Sequence, residues 1–382
     1  MKSVAACTKL EHVGFQDFLC NAQTVTHLRE SIRAERFPHS LILAGPRGAG
    51  KYTLALMLAR AFNCLNPTES PSEAGPLPDF CGVCSNCTRI ADATNLDALV
   101  AEAVEARDDL RETDKRETRI LIQTHPDVLI VPPDPPQLMI KMGQVRQVIH
   151  VAYYRPPVES KRTFTIFTSS AFMREAANSL LKVLEEPPEH TSLILLTENP
   201  QEFLPTIRSR AVIHRLVALP ASELETLLAS RRPELKPQDR ALAARLAEGA
   251  VGRALTIDLG VYLASRQDAL VLLRTALRDP DYTQLFHATE TYRAGADGQE
   301  KTINLLRALG SLMEDLLLVV AGSPQLIRNL DLAAELERLA QGLTVDWIDG
   351  AARALSQVES GMRRNLLRSL SLDAMAVGLE RA

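Results

Sequence analysis

Aromatic residues are scarce in this chain, at 4% with a single tryptophan, a composition that suits aliphatic helical packing. Long apolar runs are missing too: stretches such as Leu316–Ala321 fall far short of a membrane span, so no membrane partner is expected. The amino-terminal MKSVAACTKLEHVGF lacks the apolar core of a secretory leader, and the expected location is the cytoplasm. Strong charge of either sign is absent. A net charge of −4 argues against wrapping nucleic acid by bulk electrostatics and leaves room only for a local basic patch. Lysine is a minority among the 43 cations, and the arginine that replaces it favours forked contacts to carboxylate or phosphate, as at protein interfaces.

What is present begins with the strand–loop–helix pattern of Ser40–Thr53, SLILAGPRGAGKYT. Gly45, Gly48 and Gly50 let backbone N–H groups close on phosphate oxygens, and Lys51 would reach the terminal phosphates. Two parts of the hydrolytic apparatus are missing. Tyr52 follows the lysine where a Ser or Thr hydroxyl would hold Mg²⁺, and Thr53 lies about 100° further round the helix. The apolar strand Thr163–Phe167 runs into Thr168, Ser169 and Ser170 with no acid to hold a metal or polarise water. Phosphoryl transfer rests on metal and charge placement, so ATP or ADP binding stays open here while hydrolysis is not expected.

The cysteines are grouped. Cys64, Cys81, Cys84 and Cys87 form C-x16-C-x2-C-x2-C, whose two-residue gaps let tight turns aim thiolates at one tetrahedral ion. Four thiolates close the shell to catalysis, so the spacing points to structural Zn²⁺. Cys7 and Cys20 read as ordinary thiols.

A length of 382 residues implies two or three domains. Helical spacing covers Thr24–Arg36 (Val25, Leu28, Ile32), Tyr52–Phe62 and Gln144–Ala152. Strands are expected at Ser40–Ala44, Asp127–Val131, Thr163–Phe167 and Leu193–Thr197, with Pro-rich sequence at Asn66–Asp79. Alternation of the two to about residue 215 gives a doubly wound α/β domain with a parallel sheet. Asp92–Thr124 reads as a solvated helix or charged excursion. After Pro220 strand-like runs vanish and Leu/Ala-rich amphipathic patterns continue, with a connector near Asp279–Asp281 or Gly295–Gly298.

These residues carry a resemblance. RFPHSLILAGPRGAGK (Arg36–Lys51), the four cysteines, THPD (Thr124–Asp127), AANSLLKVLEEPPEHTSLILLTENP (Ala176–Pro200) and LPTIRSR (Leu204–Arg210) resemble the AAA+ subunits of the bacterial DNA polymerase III clamp loader. The resemblance covers nearly all of residues 1–260. It implies a P-loop AAA+ domain over 1–219 carrying a zinc module (64–87) and a charged insertion (92–124). A small helical lid over 220–260 and an all-α oligomerising collar over 261–382 would follow. The Tyr52, Phe167 and Thr168 departures point to the delta-prime branch, whose nucleotide site is typically degenerate, rather than the ATP-hydrolysing gamma/tau branch.

For function, the resemblance implies a stator-like subunit of a hetero-pentamer with gamma/tau and delta subunits, placing the sliding clamp on primed DNA. Arg210, in the Ser209-Arg210 pair, would act in trans as an arginine finger at a neighbour's ATP site. Thr197 at its strand end and Arg253 in Gly249–Leu255 match the family's two sensor positions, though without catalysis each also suits a structural role. The competing readings are an active gamma/tau-type ATPase using Lys51, and a zinc-containing AAA+ adaptor outside replication.

Overall fold

Successive side chains of a strand point to opposite faces, so a run apolar at every position must be covered on both sides. Ser40–Ala44 (β1) is such a run, buried at all five positions. The computed structural model describes residues 14–19, 21–72, 75–135, 137–153, 161–277, 282–292, 295–362 and 368–379. Cys7, Cys20 and the Asp279–Asp281 connector lie outside them. The contacts divide the chain into two compact units, residues 1–219 with 250–252, and 220–249 with 253–382.

The first unit contains, in chain order, α1 (Ala22–Arg33), β1, α2 (Lys51–Asn63), a hairpin of β2 (Thr68–Ser70) and β3 (Leu77–Asp79), and α3 (Ser85–Ala91). There follow α4 (Leu96–Asp108), α5 (Glu112–Glu117), β4 (Ile122–His125), β5 (Val128–Val131), α6 (Met142–Ala152) and β6 (Thr163–Phe167). The unit closes with α7 (Arg174–Glu185), β7 (Thr191–Thr197), α8 (Pro205–Arg208) and β8 (Val212–Arg215). Six strands form one sheet in the order β4-β5-β6-β7-β1-β8. Every pairing is parallel except β4 with β5, which is antiparallel and places β4 at the edge.

The sheet is covered as its pattern requires. Leu41, Leu43, Phe164, Ile166, Ile194 and Leu196 point to the core shared with α1, α2 and α3. Ile42, Ala44, Phe167, Leu193 and Leu195 point to the opposite core, shared with α6 and α7. The expected strands fall where read, to within two residues at one end. Edge strands β4 and β8 carry too few apolar residues to stand out. The β2–β3 hairpin lies inside the Pro-rich stretch, where its three-residue strands leave no periodicity to read.

Buried charges fasten this hairpin to α1. Arg29, 2% exposed, donates through Nε to Pro78 O and through Nη2 to Ser70 O, Ser70 Oγ and Leu77 O. Asp79, 3% exposed, accepts from Ser70 Oγ and from the backbone N–H groups of Phe15 and Phe80. The charged insertion is anchored as well. Helix α4 buries no residue fully, yet Leu96, Leu99, Val100 and Ala103 pack on the core, and Arg107 reaches the fully buried Asp134 at 2.6 Å.

The second unit has no strand among its described residues. Its elements are α9 (Ala221–Arg231), α10 (Pro237–Leu246), α11 (Val251–Thr256, its first two residues counted with the first unit), α12 (Leu259–Leu277) and α13 (Tyr282–Glu290). Helices α14 (Gly295–Val320), α15 (Ala333–Ala340), α16 (Val345–Met362) and α17 (Arg368–Leu379) complete it. Leucines dominate its core, among them Leu270, Leu273, Leu305, Leu312, Leu336 and Leu372. One buried polar network crosses that core. Asp315 accepts from Arg328 N and from Asn329 N and Nδ2, while Asn329 Oδ1 accepts from Tyr262 Oη and Arg266 Nη1. Low local dielectric makes each bond strong and each missing partner costly, so the network fixes one arrangement of the α14–α15 connection.

Asp79→Ala removes the shared acceptor of two buried backbone donors and a buried hydroxyl. We expect a loss of about 3 kcal/mol in urea unfolding, because orphaned buried donors keep their desolvation cost.

Candidate functional site

The carboxyl ends of β1, β6 and β7 form the rim at which an open α/β sheet binds ligands. Gly45 leaves β1 there with its N–H on Thr197 O at 3.2 Å. A Cβ on Gly45 would lie 2.6 Å from Leu216 O, so only glycine lets the chain pass beside the segment after β8. Gly50 has φ +84°, and a Cβ there would sit 2.9 Å from the Phe18 ring, which lies beside the loop. Gly48 is likewise left-handed, and Lys51 begins α2. The loop thus has the backbone form expected of a phosphate cradle.

The side chains around it are committed elsewhere. Lys51 Nζ folds back onto Gly45 O (2.5 Å) and Pro46 O (2.8 Å). Burial lowers its pKa, opposed by the negative charge of Glu198 and reinforced by Arg47. Tyr52 packs against the core and donates its hydroxyl to Ala93 O at 2.7 Å, beside the cysteine-bearing helix. Burial, helped by the charge of Asp97, raises its pKa further from ionisation. The position that would carry a metal-binding hydroxyl is therefore a brace between α2 and the segment after α3. Thr53 is exposed on α2.

At the neighbouring strand ends, Phe167 is fully buried and Thr168 N–H bonds Val131 O. Thr197 is buried, with its Oγ1 within reach of Asn199 O (2.9 Å) and Glu202 Oε2 (2.8 Å) and accepting from Asn199 N. Ser170 Oγ bonds the same carboxylate oxygen. Two acids escaped the sequence reading. Glu202 gathers these two hydroxyls, and the negative charge of Glu198 acts on Lys51. Glu198 follows Thr197 directly, so its strand-end position was readable; the approach of Phe18 to Gly50 has no sequence signal.

The four cysteines come together. Their sulfurs all lie within 4.8 Å of one another, with Cys64 Sγ at 3.5 Å from Cys81 Sγ and 3.9 Å from Cys84 Sγ. A tetrahedral ion with sulfur at about 2.3 Å sets its ligands about 3.8 Å apart, so the cluster has the size and donor chemistry for one. Cys64 caps the end of α2, and Cys84 caps the start of α3. Backbone N–H groups of Leu65, Cys81 and Cys84 point at Cys84, Cys64 and Cys81 sulfurs, the arrangement that orients and stabilises thiolates. Although burial raises it, such donors hold the Cys84 pKa down at about 6, whereas burial drives Cys64 and Cys87 upward.

Arg210 bonds along its own segment and to the end of α7. Arg210 follows α8 and is exposed, with Nη1 on Thr206 O (3.0 Å) and Ser209 Oγ (3.2 Å) and Nη2 on Glu185 at 3.0 Å. Arg253 belongs to the second unit, exposed and 3.5 Å from Glu248.

The family described as "DNA polymerase III, delta subunit" matches residues 20–220. The DNA polymerase III subunit delta' of Bacillus subtilis is 34% identical over 48% of this chain and 43% of its own length. The DNA polymerase III subunit tau of Escherichia coli is 27% identical over 64% of this chain; the chain spans only 32% of that relative's length. A crystal structure of a gamma subunit-related protein from Thermotoga maritima aligns over 95% of this chain and 99% of that one, at 15% identity and a TM-score of 0.36, too low to carry any inference.

Elemental analysis of the purified chain is expected to give about one divalent ion per chain. Cys84→Ser should lose it and destabilise the first unit by about 3 kcal/mol or more, since binding of a structural ion is folding free energy. A metal content near zero in protein purified without chelator would remove the cluster's assignment.

Proposed function

The chain belongs to the DNA polymerase III delta subunit family, and from that premise we propose that it is a delta-prime-type subunit of the clamp loader. In this reading it joins gamma/tau and delta subunits, helps place the sliding clamp on primed DNA, and hydrolyses no ATP itself. The observation that carries the reading is the fate of Tyr52: the residue after the P-loop lysine spends its hydroxyl on Ala93 O. The end of β6, Phe167-Thr168, adds no carboxylate. Mg²⁺ and the attacking water would both lack a holder.

Its contribution to catalysis is Arg210, an exposed guanidinium offered in trans to a neighbour's γ-phosphate, where a forked cation stabilises transition-state charge. The ion that the cluster would hold is a structural Zn²⁺, with Cys64, Cys81, Cys84 and Cys87 as its ligands. ATP or ADP at the loop remains compatible with its glycines. Thr197, bonded to Glu202, and Arg253, beside Glu248, are structural in this reading. A lid over 220–260, of which residues 250–252 are counted with the first unit, and an oligomerising collar over 261–382 complete the reading. No described helix is long and apolar enough to cross a membrane; the proposed complex is cytoplasmic.

The isolated chain should show no ATP turnover above background, and Tyr52→Thr should not create any. A measured turnover abolished by Lys51→Ala would instead support the gamma/tau-type reading. Arg210→Ala should leave folding and assembly intact, because an exposed loop arginine contributes little to stability. The neighbouring site should lose about 10³-fold in hydrolysis. Total ATPase of the complex should fall partly, and clamp loading more. Unchanged rates in an assembled complex would return Arg210 to a surface role.

A further inference from the structure

Arg210 is already paired within its own chain. Its partner, Glu185, is the last residue of α7, where unsatisfied carbonyls make the helix end partially negative and a carboxylate is poorly placed. Exposed Glu186 and Glu189 follow in the same acidic connection to β7. The Glu185 side chain is 50% exposed and gains no burial from its position, but it faces Arg210 Nη2 at 3.0 Å. On the other arm, Nη1 is held by Thr206 O and Ser209 Oγ. Both arms of the guanidinium are thus engaged, one by neutral acceptors and one by an anion.

We propose that Glu185 is a latch for Arg210: an intramolecular carboxylate that occupies the guanidinium until a phosphate of the neighbouring subunit displaces it. The proposal rests on the reading of Arg210 as a trans-acting residue. A phosphate oxygen approaching the guanidinium needs the Nη2 arm that Glu185 now faces. An exposed ion pair is weak enough to be exchanged, whereas phosphate carries more charge and the same fork geometry. The neutral bonds to Thr206 and Ser209 survive the exchange, so the arginine changes its anion without losing its direction. Glu185 is therefore a positioning residue that taxes nucleotide affinity at the neighbour's site rather than the chemical step.

The test is Glu185→Gln, which keeps size and removes charge. In complexes assembled with ATP-hydrolysing partner subunits, the ATP concentration for half-maximal hydrolysis should fall about threefold while the maximal rate stays put. The same substitution in an Arg210→Ala background should do nothing. A second measurement needs only the isolated chain: phenylglyoxal should modify Arg210 about threefold faster in Glu185→Gln, read by peptide mass spectrometry. An unchanged modification rate, or an affinity change that persists without Arg210, overturns the latch alone. Full ATPase in the Arg210→Ala complex overturns the trans reading and the latch with it.

Discussion

Helix α2 is held at both ends by groups it cannot move without breaking something else. Its first residue, Lys51, is tied to the loop carbonyls of Gly45 and Pro46, and its C-cap, Cys64, is a member of the thiolate cluster. Between them the side chains of Leu54 and Leu58 are fully buried against the sheet. Just past Lys51, Tyr52 bridges to Ala93. At the other end Asn63, also buried, donates to Arg162 O and accepts from Lys161 and Arg162 N–H. The loop, the cysteine module and the start of β6 are therefore one mechanical piece.

That rigidity accounts for the division of labour in the site. A nucleotide-hydrolysing loop must admit Mg²⁺ and an ordered water beside its lysine. Here the adjacent hydroxyl serves as a structural donor, the strand-end hydroxyls of Ser170 and Thr197 converge on Glu202, and Phe18 lies against Gly50. In the proposed function the chemistry is displayed outward. Arg210 fits this description, since its loop leaves the sheet and its guanidinium stays exposed. The proposed stator role, lending charge to a neighbour, would draw on a stiff core and one well-directed side chain.

Much of this was legible in the chain. Continuous apolar runs gave β1, β6 and β7 because strands buried on both faces must be apolar throughout. The C-x16-C-x2-C-x2-C spacing identified all four thiols that converge, because short gaps leave turn geometry little freedom. Edge strands β4 and β8 and the β2–β3 hairpin were not legible. An edge strand has one pairing partner, and a three-residue strand is too short for any period to emerge.

The sequence by itself determined the P-loop backbone, the absence of a metal-binding hydroxyl after Lys51, the thiolate set and the succession of α/β and all-α segments, since each is written in residue type and local spacing. Only the tertiary structure decided what each freed side chain does instead. Tyr52 to Ala93, Arg29 to the β2–β3 hairpin, Arg107 to Asp134 and Arg210 to Glu185 join residues 25 or more positions apart. Such partners are chosen by which surfaces the sheet order and helix packing bring within about 3 Å, and no local pattern in the chain encodes that choice.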